Sequence, residues 1–179
     1  MSENKDVYAQ AKSQMRLSER IAAALPGFRG YKEKELRRES DKLIRNNLTL
    51  KLSKDKDNVR SIAQRLADKR YLDVLPDIDR LNAKMDRITE KINHASYGYA
   101  GFYDVVKVKE ENLDRMIAFD NDLLDEVDAL TASIEDLKSQ LISGSFSNLK
   151  DKIQTIADKF ELLEDTFDKR QQVILGVTQ

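Results

Sequence analysis

The chain has no cysteine and no tryptophan, two prolines, one histidine and six glycines in 179 residues. Without cysteine there are neither disulfides nor thiolate zinc sites. A single histidine cannot furnish the two Glu-x-x-His motifs of a ferritin-like di-metal bundle, and no serine sits in a Gly-x-Ser-x-Gly elbow. Neither glycine-rich stretch continues into Gly-Lys-Ser/Thr or has dinucleotide spacing, so phosphate-cradling loops are missing too. The longest apolar run, Ile21-Ala22-Ala23-Ala24-Leu25, is far short of a membrane span. Met1 to Asp6 has neither the basic region nor the apolar stretch of an export signal, so the expectation is a cytoplasmic protein. Asn47-Leu48-Thr49 fits the glycosylation pattern but reads as a chance match without such a signal. No enzyme activity, cofactor or metal is expected.

What is present is charge and helical periodicity. Charged residues make up 35% of the chain, which with few glycines and prolines is the composition of a helical protein rather than a sheet. The net charge of -1 conceals an asymmetry. Residues 1 to 90 hold 21 Lys/Arg against 15 Asp/Glu, and residues 91 to 179 hold 10 against 17. The halves should attract, which suits helix pairing within a chain or antiparallel pairing between chains.

Apolar residues recur at spacings of three and four. They predict one domain, an all-α, elongated up-down helical bundle or antiparallel coiled coil of about five helices, with no β-sheet. The predicted helices cover residues 6–25, 32–70, 76–96, 103–142 and 147–175. Pro26-Gly27 ends the first. In the second, Asn46-Asn47 and the polar stretch from Ser53 to Asn58 are expected to bend or break the helix. Asp73 is the expected N-cap of the third, with Pro76 in its first turn. The fourth has a seam from Leu113 to Leu141, widened by Ile117 and Leu124 and interrupted by Asp120. The fifth continues the spacing from Phe146 to Ile174, with Arg170 where an apolar residue belongs. Helices of about 40 residues would be on the order of 60 Å long, giving a rod.

One short pattern occurs twice: Gly27-Phe28-Arg29-Gly30-Tyr31 and Gly98-Tyr99-Ala100-Gly101-Phe102, both Gly-aromatic-x-Gly-aromatic. Glycine permits chain reversal, and aromatic rings in a turn either pack or bind. In an up-down bundle both copies fall at one end. Either the rings cap that end, or Phe28, Arg29, Tyr31, Tyr97, Tyr99, Phe102 and Tyr103 form a partner-binding surface.

Other clusters have simpler readings. Glu90 and His94 are one helical turn apart, a pairing common on any helix. Asp120, Asp122, Asp125, Glu126 and Asp128 lack the ligand spacing of a calcium loop and read as a solvated helix face. Asp120, at a seam position, calls for a cation from the N-terminal half. Arg29, Lys32, Lys34, Arg37, Arg38, Lys42 and Arg45 crowd one stretch, but Glu33, Glu35, Glu39 and Asp41 interleave with them as helical pairs. The function expected is that of a non-enzymatic scaffold or adaptor acting through protein–protein contacts, including self-association as a homo-oligomer. The alternative is a peripheral adaptor on an anionic membrane surface, using the basic stretch and the aromatic turns. Nucleic-acid binding ranks third, and no small-molecule substrate is inferred.

Overall fold

The computed structural model describes residues 19–25, 27, 34–95 and 110–174. Among them are a helical stretch at 19–24 and four α-helices: α1 (Lys34–Asp68), α2 (Leu75–His94), α3 (Glu110–Ile142) and α4 (Leu149–Ile174). A single 3-10 turn, Leu72–Val74, leads into α2, and there is no strand among the described residues. The all-α bundle expected from the spacing is what the chain forms. No helix among the described residues is long and apolar enough to cross a membrane.

Two local expectations need correction. The second predicted helix does not break: α1 runs without interruption through Asn46-Asn47 and residues 53–58. Its 35 residues make a rod about 50 Å long. Polar residues there compete weakly with the ladder because Leu48, Leu52, Val59 and Ile62 on the same helix are fully or almost fully buried. Asp73 does not cap α2; it lies in the 3-10 turn, Val74 holds the N-cap position, and no side chain bonds there. Pro76 does fall in the first turn of α2, where its missing amide hydrogen costs nothing.

Helices α1 and α2 form one antiparallel hairpin, and α3 and α4 form another. Both first helices end in the same way. Arg70 takes φ 63° while Tyr71 N donates to Leu66 O (2.9 Å) and Arg70 N to Ala67 O (2.9 Å). Gly144 takes φ 83° while Ser145 N donates to Gln140 O (2.9 Å) and Gly144 N to Leu141 O (3.3 Å). This left-handed C′ residue with its two back-bonds satisfies carbonyls that the helix end would otherwise orphan. The Tyr71 and Phe146 rings that follow stack at 4.6 Å with an 8° tilt, joining the two turns.

The hairpins then pack face to face. α1 lies against α2 and α3, and α4 lies against α2 and α3. Cross-links between hairpins advance together along the chain: Lys51 with Asp128, Asp55 with Thr131, Asn58 with Lys138, and Arg65 with the Leu141 carbonyl. On the other side Lys84 meets Glu161, Arg87 meets Glu164 and Lys91 meets Asp168. α1 is therefore parallel to α3, and α2 to α4. Sequential helices alternate in direction, as expected of an up-down bundle, with α2 and α3 on a diagonal. The chain joins them through residues 95–109, at the end where α1 also begins and α4 ends.

The core follows a repeat of 75 positions. Leu48, Leu52, Asp55, Val59, Ile62 and Leu66 on α1 correspond to Leu123, Val127, Leu130, Ile134, Leu137 and Leu141 on α3, every one buried. Val74, Ile78, Leu81, Met85, Ile88 and Ile92 correspond to Leu149, Ile153, Ile156, Phe160, Leu163 and Phe167. Each hairpin turns its seam toward the other, α1 against α3 and α2 against α4. The long seams are thus spent on one another within one chain. Ile21 and Leu25 of the stretch 19–25 add to this core, while Ala22, Ala23 and Ala24 stay exposed.

Candidate functional site

Near the end where α1 begins, the seam turns ionic. Asp41 and Arg45 on α1, Asp120 on α3 and Arg170 on α4 are all buried, with Asp120 at 0% and Arg170 at 1% exposure. Arg170 Nε donates to Asp120 Oδ1 at 2.5 Å, and its Nη2 stands 2.9 Å from Asp41 Oδ1 as an ion pair without hydrogen-bond alignment. Arg45 Nε donates to Asp41 Oδ2 at 2.8 Å, and Arg45 Nη1 to the Asn93 carbonyl of α2 at 3.3 Å. All four helices meet in this layer. Among the described residues two carboxylates face two guanidiniums, a balance of charge that lets buried ions be tolerated. Arginine suits the place because its fork serves two carboxylates and does not give up its charge.

Asp120 does have a buried cation: Arg170, from the C-terminal half, pairs with it. The reason is hairpin register: positions 120 and 170 are equidistant from 145, in the middle of the α3–α4 turn. Arg45, read as part of a basic surface, is buried and committed to Asp41.

A second buried acid lies mid-bundle. Asp55 fills a seam position; its Oδ2 accepts from Thr131 Oγ1 at 2.7 Å, while Oδ1 is enclosed without a hydrogen-bond partner. Burial, only partly offset by that hydroxyl, pushes its carboxyl above the ordinary range. Glu126 repeats the pattern between α3 and α4: Oε1 accepts from Thr166 Oγ1 at 2.8 Å, Oε2 is enclosed without a hydrogen-bond partner, and burial raises the carboxyl.

The acidic stretch of α3 is exposed in part, as a solvated face would be, but Asp125 and Asp128 are engaged. Asp125 accepts both oxygens' bonds from Arg20 Nη2 (2.6 and 2.8 Å), and Asp128 pairs with Lys51. Asp122 is raised by burial and by the charge of Asp125. On the α2–α4 side, Lys91 lies between Glu164 and Asp168. Burial works against its charge, but these two carboxylates outweigh it and hold the ammonium above its ordinary range. The charge asymmetry of the halves thus appears as ladders joining a basic hairpin to an acidic one.

The remaining sequence candidates divide plainly. His94 and Glu90 are both exposed and form a surface pair at 2.8 Å. No group of three or more His, Asp or Glu residues among the described residues could hold a metal ion. A shallow groove of about 500 Å³ between α3 and α4, lined by Ala129, Ala132, Ser133 and Ile156, is crossed by Lys159, which donates to Ser133 Oγ and the Ala129 carbonyl. The partner-surface residues Phe28, Arg29, Tyr31, Tyr97, Tyr99, Phe102 and Tyr103 lie outside the described residues. Asp55 and the full ionic layer were missed in the sequence, although the uninterrupted spacing from Leu48 through Asp55 to Val59 marks position 55 as seam.

Comparison of the chain with protein-family models, with curated proteins and with solved structures found no match.

Proposed function

We propose that the protein is a non-enzymatic helical scaffold that works through protein–protein contacts made at one end of its bundle, self-association included. The observation that carries this reading is topological. α1 begins, α2 ends, α3 begins and α4 ends at the same end, beside the ionic layer. Tyr31 precedes Lys34 by three residues and Tyr97 follows His94 by three. Covalent reach of about 3.5 Å per residue ties both copies of the Gly-aromatic pattern to that end. A four-helix body with two aromatic segments tethered at one end is a suitable platform, since aromatic residues concentrate binding energy at interfaces.

The test is affinity capture with the full chain against two variants, Phe28→Ser with Tyr31→Ser and Tyr99→Ser with Phe102→Ser, with helicity and mass followed by circular dichroism and light scattering. Retained helicity with loss of a captured protein, or of the oligomer, supports the reading. A strict monomer whose captured set is unchanged in both variants contradicts it.

A further inference from the structure

The stretch 19–25 is attached to the bundle along one edge. Ile21 and Leu25, one helical turn apart, are buried, and Arg20 reaches Asp125 on α3 with both its contacts to that carboxylate on a single nitrogen. Arg20 and Asp125 are more than half exposed. Glu19 and the three alanines face solvent. The seat is chemically specific nonetheless. Leu124, beside Asp125, is 6% exposed although it lies off the seam, and half-buried Ile117 lies two turns before it on α3. Asp122, Asp125 and Asp128 line the same helix, with Lys51 already committed to Asp128. A helix presenting arginine, then isoleucine, then leucine four residues on fits this place, and the chain itself carries it. Between this helix and α1 lie residues 26–33, including Gly27 at φ 93°, a conformation that a helix cannot continue through.

We propose that helix 19–24 is a displaceable strap, and that its seat on α3 also receives the same helix from a second copy of the chain. The contacts made in trans are those made in cis, so exchange alters connectivity and not chemistry. Exchange of an identical element is reciprocal and closes into a two-fold dimer instead of an open chain of subunits. Effective concentration, in the millimolar range for a short tether, keeps the strap in cis when the protein is dilute. The inference rests on the self-association proposed above but places it on α3 rather than at the aromatic segments.

Two measurements on the full chain test it. In the first, a fluorescent peptide of residues 6–25 is titrated onto the wild type and onto an Ile21→Asp, Leu25→Asp variant whose bundle is checked by circular dichroism. The peptide should bind the variant at least about tenfold more tightly, because its seat has been vacated, and adding Asp125→Arg should abolish that gain. In the second, Arg20→Asp and Asp125→Arg chains are mixed and weighed by native mass spectrometry. Each alone sets like charges together, whereas the mixed dimer pairs opposite charges at both seats. Mixed dimers should exceed either homodimer by about tenfold. Equal peptide binding to variant and wild type, or a mixture that stays monomeric or pairs at random, overturns strap exchange. A dimer that survives strap disruption but dissolves on Tyr99→Ser with Phe102→Ser overturns it too, while leaving the scaffold reading in place.

Discussion

The two hairpins agree at nearly every buried apolar position of the seam and disagree at buried charged ones. Counting 75 positions from the first to the second, Asp41 corresponds to Met116, Arg45 to Asp120, Asp55 to Leu130 and Ala95 to Arg170. The shared positions explain why both halves fold as hairpins of the same length and phase. The unshared ones explain why each half pairs with the other. A first hairpin facing its own copy would bury Asp41 without Arg170, and its basic ladder would face like charge. Apolar register specifies the element, and the buried and bridging charges specify the partner, a use of polar residues known from coiled-coil register selection.

Breaking the difference should have its largest effect at Arg170. Arg170→Ala removes the guanidinium that links buried Asp41 and Asp120, and should cost about 3 to 5 kcal/mol in urea unfolding. A loss below about 1 kcal/mol would mean that water enters the layer freely.

Making the hairpins more alike should stabilise them. Asp55→Leu supplies what position 130 already has, and should gain on the order of 1 to 3 kcal/mol at neutral pH, because an enclosed carboxylate oxygen is removed. The same change should alter the pH dependence. Burial raises the Asp55 and Glu126 carboxyls, so the folded chain holds those protons more tightly than the unfolded chain. Their contribution is therefore fully present below the ordinary carboxylate range and is lost as pH rises through the elevated one. Wild-type stability measured from neutral pH downward should rise by this term, and Asp55→Leu with Glu126→Gln should flatten it. A rise undiminished in the double variant would assign the effect elsewhere.

A smaller gain is expected at the turn. Arg70 occupies the left-handed position that Gly144 fills in the second hairpin. Arg70→Gly should raise stability by about 1 kcal/mol in thermal or chemical unfolding. The least effect belongs to the ladder between the hairpins: Lys84→Ala, which removes the pair with Glu161, should cost less than about 1 kcal/mol and less still at high salt.

Much of the architecture was legible because helical periodicity is local. The seams on α2, α3 and α4, the proline in the first turn of α2 and the glycine at the α3–α4 turn could all be read from spacing and residue type. What escaped was non-local. Asp120 and Arg170 each stood out as polar residues at apolar positions, yet joining them required reflecting α3 onto α4 about position 145. The parallel pairing of α1 with α3 has no local signal at all; it depends on which seam flank of each helix carries lysine and which carries aspartate. Asp55 was overlooked because aspartate between Leu52 and Val59 resembled a break, although the spacing of four and three was intact.

The central claim is that a basic and an acidic hairpin of one chain pair in parallel, α1 on α3 and α2 on α4. Zero-length carbodiimide cross-linking of the unmodified protein, mixed as light and heavy isotopic copies and read by mass spectrometry, tests it directly. The account predicts same-isotope links of Lys51 to Asp128, Lys84 to Glu161 and Lys91 to Asp168. Predominant links between α1 and α4 or between α2 and α3, or mixed-isotope links at those three pairs, would contradict it.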